Sequence, residues 1–270
     1  MTKQRPTEEA YAELQQAYDF YNEELFEGKL PPCLITFQRE KRTMGYFSSK
    51  RFVRKDGSQS TDEIALNPEY FAVVPMVEVL QTLVHEQSHL WQEHFGKPSR
   101  ACYHNKEWAD KMESVGLMPS DTGQPGGKRT GQSVGDYIIP DGRFYHVTKK
   151  LLASGFAITW LDRFPARTPQ PSFSPGLLPP PAAGAWIDHT AEAEEESDDD
   201  GAGDSVEALL AAALTAPIKL QPGLEVHERE QENRSNRSKY ECLSCTKVSV
   251  WGRPGLRVKC ADCDVLLVEA

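Results

Sequence analysis

The residues from Pro75 to Phe95 constrain this chain more than any others, because an apolar helical pattern there has His85-Glu86-Gln87-Ser88-His89 in its middle. Pro75 suits the first helical position. Val77, Leu80, Val84, Leu90 and Trp91 then keep the helical spacing until Gly96 and Pro98 close it. Residues four apart on a helix lie about 40° apart around its axis, so His85 and His89 can point their imidazoles at one ion. Two buried histidines and a buried glutamate with no partner would be poorly solvated and costly. A satisfied core pair is the bland reading, and a Zn²⁺ site is the sharper one. Glu86 is too close in sequence to share the ion comfortably with its neighbours. It is placed instead to take a proton from an ion-activated water and return it to a leaving amine. Amide hydrolysis is the natural product of that chemistry.

A catalytic zinc needs a third protein ligand, and the downstream candidates are His94, Cys102, His104, Glu107 and Asp110. His94 lies about 140° around the helix from His89 and faces away. His104 opens the next helix after a connection long enough to fold back, and is the first choice, with Glu107 second. The longer metzincin pattern is excluded, since Gln92 and Phe95 stand where it requires Gly and His.

The pattern around this helix suggests an α+β domain. Tyr11, Leu14, Tyr18, Tyr21 and Leu25 form an amphipathic helix entered at Pro6 and stopped by Gly28 and Pro31-Pro32. Three short β-prone runs follow between Leu34 and Leu66, expected to pair as a small antiparallel sheet. A shorter helix is expected from His104-Asn105 to Gly116. Beyond it, residues 137–161 suggest a hairpin turning at Pro140-Asp141-Gly142, a short helix around Leu151-Leu152 and a strand from Phe156 to Trp160.

Seven prolines between Pro165 and Pro181, then eight acidic residues between Glu192 and Asp204 with no basic one, mark residues 166–236 as a disordered linker. The formal charge of -10 argues against a general polyanion binder, but without the acidic run the remainder holds 32 acidic against 30 basic groups. Arg39, Lys41, Arg42, Lys50, Arg51, Arg54 and Lys55 form a basic cluster on the expected strands. It reads either as a solvated sheet face or as a DNA contact. No 18-residue apolar stretch and no signal-peptide core are present, so an intracellular protein without membrane association is expected.

The Leu25-Phe26 to Leu30-Pro31 segment, Gly45-Tyr46, Asp62-Glu63-Ile64-Ala65-Leu66-Asn67, His85-Glu86-x-x-His89 and His104-x-x-Glu107-Trp108 together resemble the SprT-like metalloprotease family, which includes Spartan-type proteases. In that family the third ligand is a His followed by Gly and then an aromatic. Here Asn105 replaces the Gly, a mild departure since Asn tolerates unusual backbone angles. The resemblance implies a compact zincin-type fold and proteolysis of proteins bound or crosslinked to DNA. It also implies a cytoplasmic, nucleoid-associated setting in a bacterium or a nuclear one in a eukaryote.

Near the C-terminus, Cys242-x-x-Cys245 and Cys260-x-x-Cys263 frame 14 residues, a spacing suited to tetrahedral structural Zn²⁺. The intervening residues read as a hairpin turning near Gly252 to Gly255, and the whole resembles the zinc ribbon of many SprT-like proteins. About 30 residues make an inadequate core without a metal. Lys247, Trp251, Arg253, Arg257 and Lys259 offer phosphate contacts and a stacking surface for single- or double-stranded DNA.

The organisation expected is therefore a metalloprotease domain over residues 1–165 (core about 7–118), the linker 166–236 and a ribbon over 237–270. One catalytic zinc is held by His85, His89 and His104, and one structural zinc by the four cysteines. The substrate is expected to be protein, with DNA as a further partner; nothing in the sequence sets the oligomeric state. A non-proteolytic DNA-binding or transcription-associated zinc protein is the alternative, and an amidase using the same ligands is a third reading.

Overall fold

A computed structural model describes residues 5–40, 43–100, 103–165 and 237–269. The expected linker lies outside the described residues. The chain divides into two compact units, Met1–Glu228 and Arg229–Ala270, each described by itself.

The first unit is α+β. Helix α1 (Pro6–Phe26) starts with Pro at its first turn beside Glu8 and Glu9, where acidic groups favour the helix N-terminus, and ends on Glu27 in the left-handed region (φ 60°). Strands β1 (Leu34–Phe37), β2 (Gly45–Val53) and β3 (Ser60–Leu66) form one sheet in the order β1-β3-β2. The sheet is mixed and not wholly antiparallel as expected: β2 pairs antiparallel with β3, but β1 runs parallel to it. The turn after Val53 requires the antiparallel pair. The connection after Phe37 carries the chain across to the far edge, so that β3 returns between its two predecessors. Apolar patterning is blind to that direction.

Helix α2 (Met76–Phe95) packs beneath the sheet, with Val77, Leu80, Leu83, Val84 and Leu90 buried; Pro75 is its N-cap residue and not its first turn. Gly45 brings β2 close to this helix. A Cβ there would lie 2.8 Å from both the Ala65 carbonyl oxygen and the Thr82 methyl. Helix α3 (Lys106–Val115) closes on Gly116, whose φ of 99° and close approach to the Phe144 backbone exclude a side chain.

The region after Gly116 departs from expectation. Strand β4 (Leu117–Ser120) pairs antiparallel with β5 (Gly135–Ile138), so no hairpin forms at 140–142; that turn instead enters α4 (Arg143–Ala153). Residues 156–160 are not a strand. Phe156 and Ile158 are buried, but the polar groups are taken by α1: Thr159 N–H donates to Glu13 and Trp160 Nε1–H to Glu9. The core extends past the expected limit of residue 118, through Val134, Phe144, Leu151 and Ile158.

In the second unit β6 (Ser238–Glu241) is the central strand, flanked by β7 (Ser249–Gly252) and β8 (Val268–Glu269). The hairpin expected within residues 247–259 is thus replaced: β7 pairs with β6. Tyr240 explains the choice, being buried and holding the following turn through bonds from its hydroxyl to the Arg253 carbonyl and from the Leu256 N–H.

Candidate metal centre

His85 and His89 leave α2 one turn apart, with ring centroids 5.1 Å from each other. His104 reaches them from the connection before α3. It is held there by reciprocal backbone bonds with Gly131, at 2.8 and 3.1 Å. One ligand atom from each of the three histidines lies within 4.8 Å of the others, and His89 Nε2 is 3.2 Å from His104 Nε2. The indole of Trp108, fully buried on α3, packs against all three rings at centroid distances of 4.3 to 5.0 Å.

The other candidates for the third ligand are occupied elsewhere. His94 pairs with Asp62 at 2.6 Å. Glu107 accepts from the Lys97 N–H and from Gln92 Nε2, bracing the chain between α2 and α3. Asp110 pairs with Lys106 and Arg129, and Cys102 lies outside the described residues. Asn105 has ordinary extended geometry (φ -88°), so unusual backbone angles do not explain it. Its carbonyl caps α3 by accepting from Trp108 N–H at 3.0 Å and also accepts from Gln92 Nε2 at 2.7 Å.

Electrostatics favour neutral imidazoles at His89 and His104. Burial holds His89 well below the ordinary imidazole value, with His85 and His104 adding to the effect. Burial first and His85 second push His104 down to about 4. Burial opposes charge on His85 too, but the hydrogen bond to Asp136 and the charges of Glu86 and Asp136 outweigh it and raise its pKa. Burial pushes Glu86 up to about 7, against the lowering influence of His85 and of a Phe47 backbone hydrogen bond.

The donor set fits Zn²⁺. His85 Nδ1 is engaged by Asp136 Oδ2 at 2.8 Å and His104 Nδ1 by the Gly131 carbonyl at 3.3 Å, which leaves the Nε2 lone pairs facing inward. His89 Nε2, 3.2 Å from His104 Nε2, completes a set of three imidazole nitrogens close enough to share one ion. The centre opens on a cleft of about 720 Å³, lined among others by Gly45 to Ser49 of β2, Arg100, Tyr103 and Asp121.

Asp136, Gln81, Gly131 and Phe47 escaped the sequence reading. A signal existed for Gln81 alone, which precedes His85 by four residues and so shares its face of the helix.

In the second unit the sulfurs of Cys242, Cys245, Cys260 and Cys263 lie within 4.8 Å of one another, consistent with a zinc ribbon. Lys247, Trp251, Arg253, Arg257 and Lys259 are all exposed, Trp251 to 64%. Lys259 is paired with Asp264, and Trp251 lies opposite Lys239 across the β6–β7 pair.

A helix presenting two histidines and a glutamate, closed by a third histidine and packed on a small sheet, defines a metalloprotease-type domain. Residues 14–126 match the SprT-like family, and the chain belongs to that family. It is also similar to a Salmonella typhimurium protein described as "Uncharacterized protein in mucB 3'region", with 64% identity over 59 residues, 22% of this chain and 80% of that protein. No solved structure matches the chain significantly. Among the described residues, no helix is long and apolar enough to cross a membrane.

Proposed function

We propose that the chain is a zinc-dependent endopeptidase acting on proteins bound or crosslinked to DNA, with one catalytic and one structural ion. The observation that carries the reading is the convergence of His85, His89 and His104 beside Glu86, whose carboxyl lies at the wall of an open cleft. Zinc, when bound, supplies a Lewis acid that acidifies water and polarises the scissile carbonyl. Glu86, held by the Phe47 backbone, takes the water's proton and passes it to the leaving amine. Strand β2 is an edge of its sheet and lines the cleft, so an extended peptide can pair with its backbone and present a carbonyl to the centre.

The DNA part of the proposal draws on family membership and on the exposed Trp251 with Lys247, Arg253 and Arg257, a set suited to stacking and phosphate contact. The setting would be the bacterial nucleoid or the eukaryotic nucleus.

The test is proteolysis of a DNA-bound protein by wild type and Glu86→Gln side by side. The variant should keep its zinc and lose at least ~100-fold in rate. Wild type and variant equally inactive, with both binding DNA, would overturn the peptidase reading in favour of a non-proteolytic DNA-binding protein.

A further inference from the structure

We propose that Asp136 is a positioning residue for the metal, fixing the ring of His85 so that Nε2 is delivered to the ion. The proposal rests on the zinc reading above and concerns a part of the chain beyond residue 126, where the family match ends.

Asp136 stands on β5 and is 1% exposed. Both of its carboxylate oxygens are engaged from α2: Gln81 Nε2 donates to Oδ1 at 2.7 Å and His85 Nδ1 donates to Oδ2 at 2.8 Å. Gln81 Nε2 also donates to the Asp136 backbone carbonyl at 3.0 Å, tying strand and helix together at this residue. Gln81 and His85 are one helical turn apart, so one carboxylate spans both side chains and has little freedom to rotate.

A carboxylate only accepts, so Nδ1 of His85 carries the proton and Nε2 the lone pair. The ring plane is set by the same bond, and the negative partner makes the imidazole a better donor to a cation. A buried carboxylate would be an expensive way simply to join a strand to a helix, a task that apolar side chains perform without desolvating a charge. Asp136 is not a fourth ligand, because it sits on the Nδ1 side of His85, outside the three-histidine cluster. The same stretch of chain treats His104 alike, through the Gly131 carbonyl at its Nδ1. Two of the three ligands are therefore oriented by residues 131–136.

The experiment measures zinc affinity of the full chain by chelator competition, with the histidine site identified by its loss in His89→Ala. Visible absorption of the cobalt-substituted protein is recorded alongside. Asp136→Asn, nearly isosteric but neutral, is expected to weaken zinc at that site by about 10- to 100-fold and to shift the cobalt bands. Gln81→Met, which leaves the carboxylate in place without its clamp, is expected to weaken it less. A merely structural role would lower the melting temperature of the metal-free protein and leave affinity and bands unchanged. Wild-type affinity in whichever of these two variants folds overturns the proposal. Absence of any His89-dependent zinc in the wild type would instead defeat the zinc reading itself.

Discussion

Single side chains in this protein are held in charge states that water would not favour, and Glu78 is the simplest case to measure. Burial at the start of α2 pushes its pKa up to about 7. An unfolded chain ionises this group near 4.5, so between 4.5 and 7 the folded state binds the extra proton and stability falls as pH rises. Glu78→Gln is expected to melt like the wild type at pH 4 and to be more stable at pH 8, by ~1–2 kcal/mol after allowance for partial solvent screening. Thermal melts at the two pH values check it; no gain at pH 8 would mean the carboxylate is stabilised by the helix N-terminus. At the same scale, His85, Glu86 and His89 were legible in the sequence because one helical turn is a fixed geometry. His104 was legible as the first of several candidates, and the structure brings it, and none of its described competitors, to the cluster. Asp136 was not legible: it is 51 residues from His85, and a lone acid in a short β-prone run has no local signature.

The site depends on how elements end and where they are pinned. The α2–α3 connection carries His104, and its shape is set by Asn105, Gln92 and Glu107. Asn105→Ala removes the cap of α3, a partner of Gln92 and the bond to the Lys97 carbonyl. It is expected to lower the stability of the metal-free protein by ~1–2 kcal/mol, read from its denaturant midpoint. An unchanged midpoint would show that Gln92 and Glu107 brace the connection unaided. Helices α1, α2 and α3 were legible because amphipathic spacing and Pro and Gly stops are local signals. The parallel placement of β1, the β4–β5 pair and the central position of β6 were not, since strand partners are chosen by distant packing. The run from Phe156 to Trp160 misled for the same reason: its residues are β-prone, but α1 offers Glu9 and Glu13 where a strand would need a neighbouring backbone.

For the molecule as a whole, the two units differ in what holds them together. The first has a continuous core from Leu14 to Ile158, whereas the second buries only Tyr240, Cys242, Cys260 and Leu267 among its described residues. Metal removal should therefore act unequally. A strong chelator is expected to abolish amide-exchange protection in residues 237–269 while protection in α1, α2 and the β1–β3 sheet persists. Equal loss in both, or in neither, would contradict this division. The return of residues 156–162 onto α1 has a mechanical consequence. Where Arg39 grips Asp162 and Trp160 grips Glu9, the outgoing chain is fastened to the first helix and the sheet edge. Tension arriving from beyond Pro165 would be borne by that clasp in shear before it reached α2. The three histidines of α2 and the α2–α3 connection would thus keep their register under load.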